Sequence, residues 1–143
     1  MGVSERFRIG RLARETGRSV HAIRWYERQG LMPGVERDSG GRRVYSNEHV
    51  SWLRFLERLK CAGMSMREMK AYAALVRRGR ASIGERMELL AAQQRRTAAL
   101  IAELQEAQRL IARKQAYYRK WRAAEKWPGP FEVDEERPRG KRR

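Results

Sequence analysis

The 143-residue sequence has a single cysteine, Cys61, so it can form no internal disulfide and no multi-cysteine zinc or iron–sulfur site. A reducing cytoplasm is the expected setting, with no metal and no cofactor. Long apolar runs are also missing. Arg or Glu interrupts every candidate stretch, and none approaches the ~18–20 continuous apolar residues of a membrane span. The opening Met-Gly-Val-Ser-Glu-Arg-Phe-Arg has no apolar h-region, which argues against a secretory signal. Histidines number two, His21 and His49. Neither has a convincing acid or nucleophile near it in sequence, and there is no phosphate loop, so no catalytic residue is assigned and no enzyme is expected. Acidic side chains are scarce as well. Seventeen Asp and Glu face 33 Lys and Arg, leaving a formal charge of +16. That excess points to a polyanionic partner, nucleic acid before an anionic membrane surface. Residues 1–80 carry 18 of the basic residues against 8 acidic ones, so the first half is the expected polyanion face.

The chain does contain helical periodicity broken by turn signals. Ile9, Leu12 and Ala13 recur at helical spacing before Gly17, and Ser19 then caps a second helix carrying Val20, Ile23 and Tyr26. Two short helices across so tight a turn predict a helix-turn-helix. Residues 31–45 contain Pro33, Gly34, Asp38, Ser39, Gly40 and Gly41 between β-prone Val35 and Val44-Tyr45. They predict a small hairpin, a wing. Ser46 opens a third helix with Val50, Leu53, Leu56 and Leu59 inward, stopping at Gly63. Ser65-Met-Arg-Glu68 matches a capping box for a fourth, and Ser82-Ile-Gly-Glu85 matches one for a fifth.

From Ser82 to about Arg122 there is no proline. Ile83, Met87, Leu90, Thr97, Ile101, Leu104, Ile111 and Tyr118 fall at heptad-compatible steps. A helix of that length spans roughly 60 Å and cannot bury such a face alone, so pairing with a second copy is expected. The predicted fold is mainly α. Residues 1–80 form a winged helix-turn-helix domain, 81–122 a dimerisation helix, and 123–143 a disordered basic tail.

The second helix reads Ser19-Val-His-Ala-Ile-Arg-Trp-Tyr26. A recognition helix sets its N-terminal side chains on base edges and its basic or aromatic ones on phosphates. His21 and Ala22 are the expected base readers, beside Arg18 and Ser19. Arg24, Trp25 and Tyr26 are the expected backbone grips. Arg37, Arg42 and Arg43, with Tyr45, place further contacts on the wing. The competing reading of each feature is an ordinary solvated helix or turn.

In order and spacing, Ile9-Gly-Arg-Leu-Ala-Arg-Glu-Thr-Gly17, Ile23-Arg-Trp-Tyr-Glu27, Gly30-Leu-Met-Pro33, Gly41-Arg-Arg-Val-Tyr-Ser46 and Gly63-Met-Ser65 resemble the MerR family of transcription regulators. The resemblance covers residues 8–80. It implies a winged helix-turn-helix joined to a dimer helix that forms an antiparallel coiled coil with its twin. It also implies a homodimer on a pseudo-palindromic promoter operator in double-stranded DNA. Bending and untwisting that DNA would let RNA polymerase engage both promoter elements. Ala22 stands where Thr is usual in the family, Trp25 where Tyr is common, and Arg42 where an aromatic often sits. These departures bear on operator sequence. Metal-sensing members use cysteines that this chain lacks, and too little chain follows the long helix for a separate effector domain. The pattern is that of a minimal member.

Cys61, beside Lys60, is the remaining chemical handle. Some short members are thought to sense aldehydes or other electrophiles through one cysteine in this region, which makes Cys61 a candidate effector site. The alternative is a small packing residue. The alternative function is an architectural protein that bends DNA without an inducer. A defined operator footprint separates the regulator from that rival.

Overall fold

The computed structural model describes residues 5–133. The basic run at the C-terminus, from 134 on, lies outside the described residues. Helix α1 (Ile9–Thr16) ends at Gly17, whose φ of 66° is the left-handed conformation that glycine adopts without steric cost. Two residues later Ser19 starts α2 (Val20–Arg28), its Oγ accepting the Ala22 N–H at 3.0 Å. Strands β1 (Glu36–Arg37) and β2 (Arg43–Val44) pair antiparallel, Glu36 opposite Val44 and Arg37 opposite Arg43. Phe7 and Tyr45 exchange both backbone hydrogen bonds at 2.9 Å, tying the start of the chain to the base of the wing.

Helix α3 (Asn47–Cys61) begins where the Ser46 N–H donates to Nδ1 of His49 at 3.0 Å. With Nδ1 accepting, Nε2 carries the proton and donates to the Gly34 carbonyl, 3.2 Å away. His49 therefore caps α3 and holds the entry to the wing. Helix α4 (Met66–Arg77) opens with the expected capping box: the Glu68 N–H donates to Ser65 Oγ at 3.2 Å, and the Ser65 N–H to Glu68 Oε2 at 2.9 Å.

Helix α5 (Ile83–Ala123) starts differently from the sequence reading. Ser82 is not its N-cap. The residues Gly79–Ser82 already form a 3₁₀ turn, and the buried Ser82 Oγ donates backwards to the Gly79 carbonyl at 2.9 Å and to that of Leu75. Glu85 pairs with Arg78 instead of reaching back to Ser82. Because the 3₁₀ turn runs directly into the helix, the first N–H groups of α5 are not left for a capping side chain.

Two compact units divide the chain at Thr97 and Ala98. In the first, α1 to α4 enclose a core in which Leu12, Ile23, Leu31 and Leu53 have no exposed surface. Leu89 and Leu90 pack against it, and buried Gln93 donates from Nε2 to the Ala62 carbonyl at 2.7 Å. In the second unit, residues after α5 fold back on its last turns. Tyr117 donates its hydroxyl to the Gly129 carbonyl at 2.5 Å, and the Phe131 ring sits 5.6 Å from that of Tyr117. Residues 124–133 thus differ from the disordered tail expected of them, because Gly129 and Phe131 find partners on the helix. The heptad stripe on α5 is largely exposed. Met87, Ile101, Leu104 and Ile111 each keep more than half their surface in solvent.

Candidate nucleic-acid interface

Helix α2 turns Ile23 and Tyr26 into the core, which leaves His21, Arg24 and Trp25 exposed and Ala22 half-buried on its outer side. The wing lies beside this face. Arg8, Arg24, Arg37, Arg42 and Arg43, together with Ile9, Gly41 and Tyr45, line one groove. Five arginines lining one groove favour a ligand that is anionic along its length.

The wing keeps its form through one carboxylate. Asp38 Oδ1 accepts the backbone N–H groups of Gly40 at 3.0 Å and Arg42 at 2.9 Å, while Oδ2 pairs with Arg8. Gly41 takes φ 75° to close the turn. The Arg8 hydrogen bond and the Arg42 N–H hold the Asp38 carboxyl at about 2, below its ordinary 3.8. Arg8 reaches further, donating from Nη1 to the Arg43 carbonyl at 3.1 Å. Arg37 donates to the Gly41 carbonyl at 2.6 Å. Arg42 keeps 76% of its side chain exposed, more than Arg8 or Arg43, beside a distant Asp38 contact at 3.7 Å.

A second carboxylate joins wing to helix. Glu27 on α2 accepts from Nε of Arg43 at 2.5 Å, which pushes the guanidinium pKa up, and its other oxygen lies 3.5 Å from the Tyr45 hydroxyl. Burial first, then the Glu27 charge, raises the Tyr45 phenol.

Exposure separates the residues expected from sequence to touch a partner. Tyr45 is only 1% exposed, with its ring edge-on to His49, so it is a core pillar rather than a surface grip. Tyr26 is likewise buried, and its hydroxyl accepts from Arg18 at 3.0 Å. Arg18 lies over the Tyr26 ring, pairs with Glu57 on α3, and keeps 16% of its side chain in solvent. It braces the turn between α1 and α2. Ser19 acts through its cap. Arg8, Glu27 and Asp38 take part in this site without having been expected in it, although Asp38 stands among the turn residues of the wing. Asp38 before Ser-Gly-Gly carries an Asx-turn signal, whereas nothing local marks Arg8 or Glu27, whose partners are distant in the chain. Cys61 is exposed at the last residue of α3.

This arrangement is a winged helix-turn-helix, with a basic groove between its second helix and its wing. The sequence profile of the MerR HTH family regulatory proteins matches residues 7–75. An uncharacterized HTH-type transcriptional regulator of Haemophilus influenzae is 33% identical over 117 residues, covering 82% of this chain and 87% of that protein. Among solved structures, HiNmlR, a MerR family regulator lacking the sensor domain and bound to promoter DNA, is 33% identical with a TM-score of 0.73, over 83% of this chain and 94% of its own. A putative MerR family transcriptional regulator from Listeria monocytogenes is 32% identical with a TM-score of 0.72, over 78% and 85%. The chain belongs to the MerR family of transcriptional regulators.

Proposed function

We propose that this protein is a cytoplasmic homodimer that binds a pseudo-palindromic promoter operator and bends and untwists it to control RNA polymerase engagement. The observation that carries the reading is the five-arginine groove beside the exposed face of α2. In this reading residues 1–80 are the DNA-binding domain and residues 81–122 the dimerisation helix. His21 and Ala22 meet base edges, while Arg24, Trp25, Arg37, Arg42 and Arg43 meet the backbone on either side. Arg18, Ser19, Tyr26 and Tyr45 hold those groups in place. The exposed apolar stripe of α5 supports pairing with a second copy, which sets two half-sites at a fixed distance on the duplex. Two wings gripping flanking phosphates can then hold a deformed duplex, repaid by the contacts that the bend permits. The exposed thiol of Cys61 supports a response to electrophiles.

The test is a footprint on the DNA upstream of the protein's own gene, with a random duplex of equal length as competitor. A bounded footprint with two symmetric half-sites is expected. Uniform protection, with equal affinity for both duplexes, would leave an architectural DNA-bending protein instead.

A further inference from the structure

Glu27 is an acidic side chain paired with Arg43 of the arginine-lined groove. Polyanion binding alone gives no reason for it, since its charge opposes the neighbouring groove. Its geometry supplies one. It stands in the last turn of α2, while its partner Arg43 stands in β2, so the 2.5 Å contact runs from the recognition helix to the wing. The carboxylate is 20% exposed and the guanidinium 43%, so the pair is half-sheltered and Arg43 still reaches solvent. The backbone at Arg43 is held too, by Arg8 Nη1 on its carbonyl at 3.1 Å. Both ends of the Arg43 side chain are therefore anchored.

An arginine engaged at Nε keeps its two terminal nitrogens as donors, in a planar fork of fixed direction. Such a fork meets a phosphate only when the duplex lies at one depth and register against α2. An unanchored arginine sweeps a wide arc and grips phosphates in any register. The difference lies between specific and non-specific complexes. We infer that Glu27 is a specificity-determining positioning residue, which ties Arg43 to α2 so that the wing grips the backbone only in the operator register. This inference rests on the proposed DNA-binding function and deepens it.

The experiment uses the full chain and two duplexes: one selected by the native protein from a randomised pool, and an unselected duplex of the same length. Affinities and salt slopes are measured for native protein, Glu27→Gln, Arg43→Ala and the double variant. Glu27→Gln is expected to lower the ratio of selected to unselected affinity about tenfold, the scale of one charge-assisted hydrogen bond. Most of that change should appear as tighter binding of the unselected duplex, with a salt slope steeper by about one per protomer. In the Arg43→Ala background, Glu27→Gln should change the ratio no further. An equal change in that background, or a Glu27→Gln protein with native ratio and slopes, overturns the inference. Native melting behaviour of Glu27→Gln separates this effect from misfolding, and Glu27→Asp, with a shorter reach, should fall between the two. If the native chain itself prefers no selected duplex, the operator-binding reading falls, and the inference falls with it.

Discussion

Replacing Leu104 and Ile111 together with Lys should convert a dimer into monomers without unfolding the first compact unit. Both residues lie on α5 beyond Thr97, 61% and 60% exposed in the single chain. Fully burying a Leu or Ile side chain contributes about 1.5–3 kcal/mol, so covering the exposed part of each contributes roughly 1–2 kcal/mol. A symmetric pair loses four such side chains. The total is about 4–7 kcal/mol, which weakens association by roughly a thousandfold to a hundred-thousandfold. Two like charges brought opposite each other add to that. Light scattering across a protein dilution series reads the mass, and a gel-shift titration reads binding to a footprinted duplex. The expected result is a folded monomer with native-like thermal unfolding of its helix-turn-helix unit and no stable shifted complex. A native chain that scatters as a monomer yet binds the duplex fully would refute the reasoning. So would a double variant that remains dimeric at the native concentration range.

Arg24→Ala should weaken selected and unselected duplex binding alike, whereas Arg43→Ala should weaken mainly the selected duplex, each flattening the salt slope there by about one counterion per lost contact per site, read by titration at several salt concentrations. Replacing buried Gln93 with Leu removes the donor to the Ala62 carbonyl. It should cost about 1–2 kcal/mol in denaturant unfolding at fixed protein concentration, as the half-buried Ala62 carbonyl loses its partner. Asp38, held at about 2 in the fold against an ordinary 3.8, supports the wing above the ordinary value. That support should be lost as the pH falls from about 4 through 2, seen as lost protection of the Gly40 and Arg42 amides relative to their intrinsic exchange rates. Cys61 should react with a thiol reagent in the native protein without denaturant, and an aldehyde response at the target promoter should disappear in Cys61→Ser. A response that survives leaves the inducer site elsewhere.

Local signals in the sequence suffice where one short stretch contains both the need and its answer. Gly17 must enter the left-handed region to end α1, and Ser19 must accept an orphan N–H two residues on, so both are visible in the string. The same holds for Ser65 with Glu68. Ser82 and Glu85 match the same pattern but fail, because the 3₁₀ turn at Gly79–Ser82 already continues into α5 and leaves no free first turn to cap. Among the arginines the sequence shows abundance and cannot rank them. Arg18 is spent on Tyr26 and Glu57, and Arg43 is anchored by Glu27, through partners 39 and 16 residues away. Tyr45 was legible as β-prone but not as core. Its burial comes from the Phe7 bridge and the His49 ring, which meet it only once α3 and the wing have folded.

The carboxylates around the basic face also decide what the charge of the chain is for. Exposed ion pairs contribute little to stability, typically ~0–1 kcal/mol, so the pairs here do not explain why the fold holds. What they share is span. Arg8–Asp38 joins the start of α1 to the wing turn, Arg43–Glu27 joins β2 to α2, and Arg18–Glu57 joins the α1–α2 turn to α3. Each crosses between elements that must keep one mutual orientation for a helix and a wing to meet the same duplex. A chain with a charge of +16 has no need of stronger attraction to DNA, because any extra cation serves every sequence equally. Its need is for restraint on where each cation points. Neutralising one of these acids therefore makes the surface more basic while making its contacts less selective, and affinity for unselected DNA and preference for a chosen site move in opposite directions.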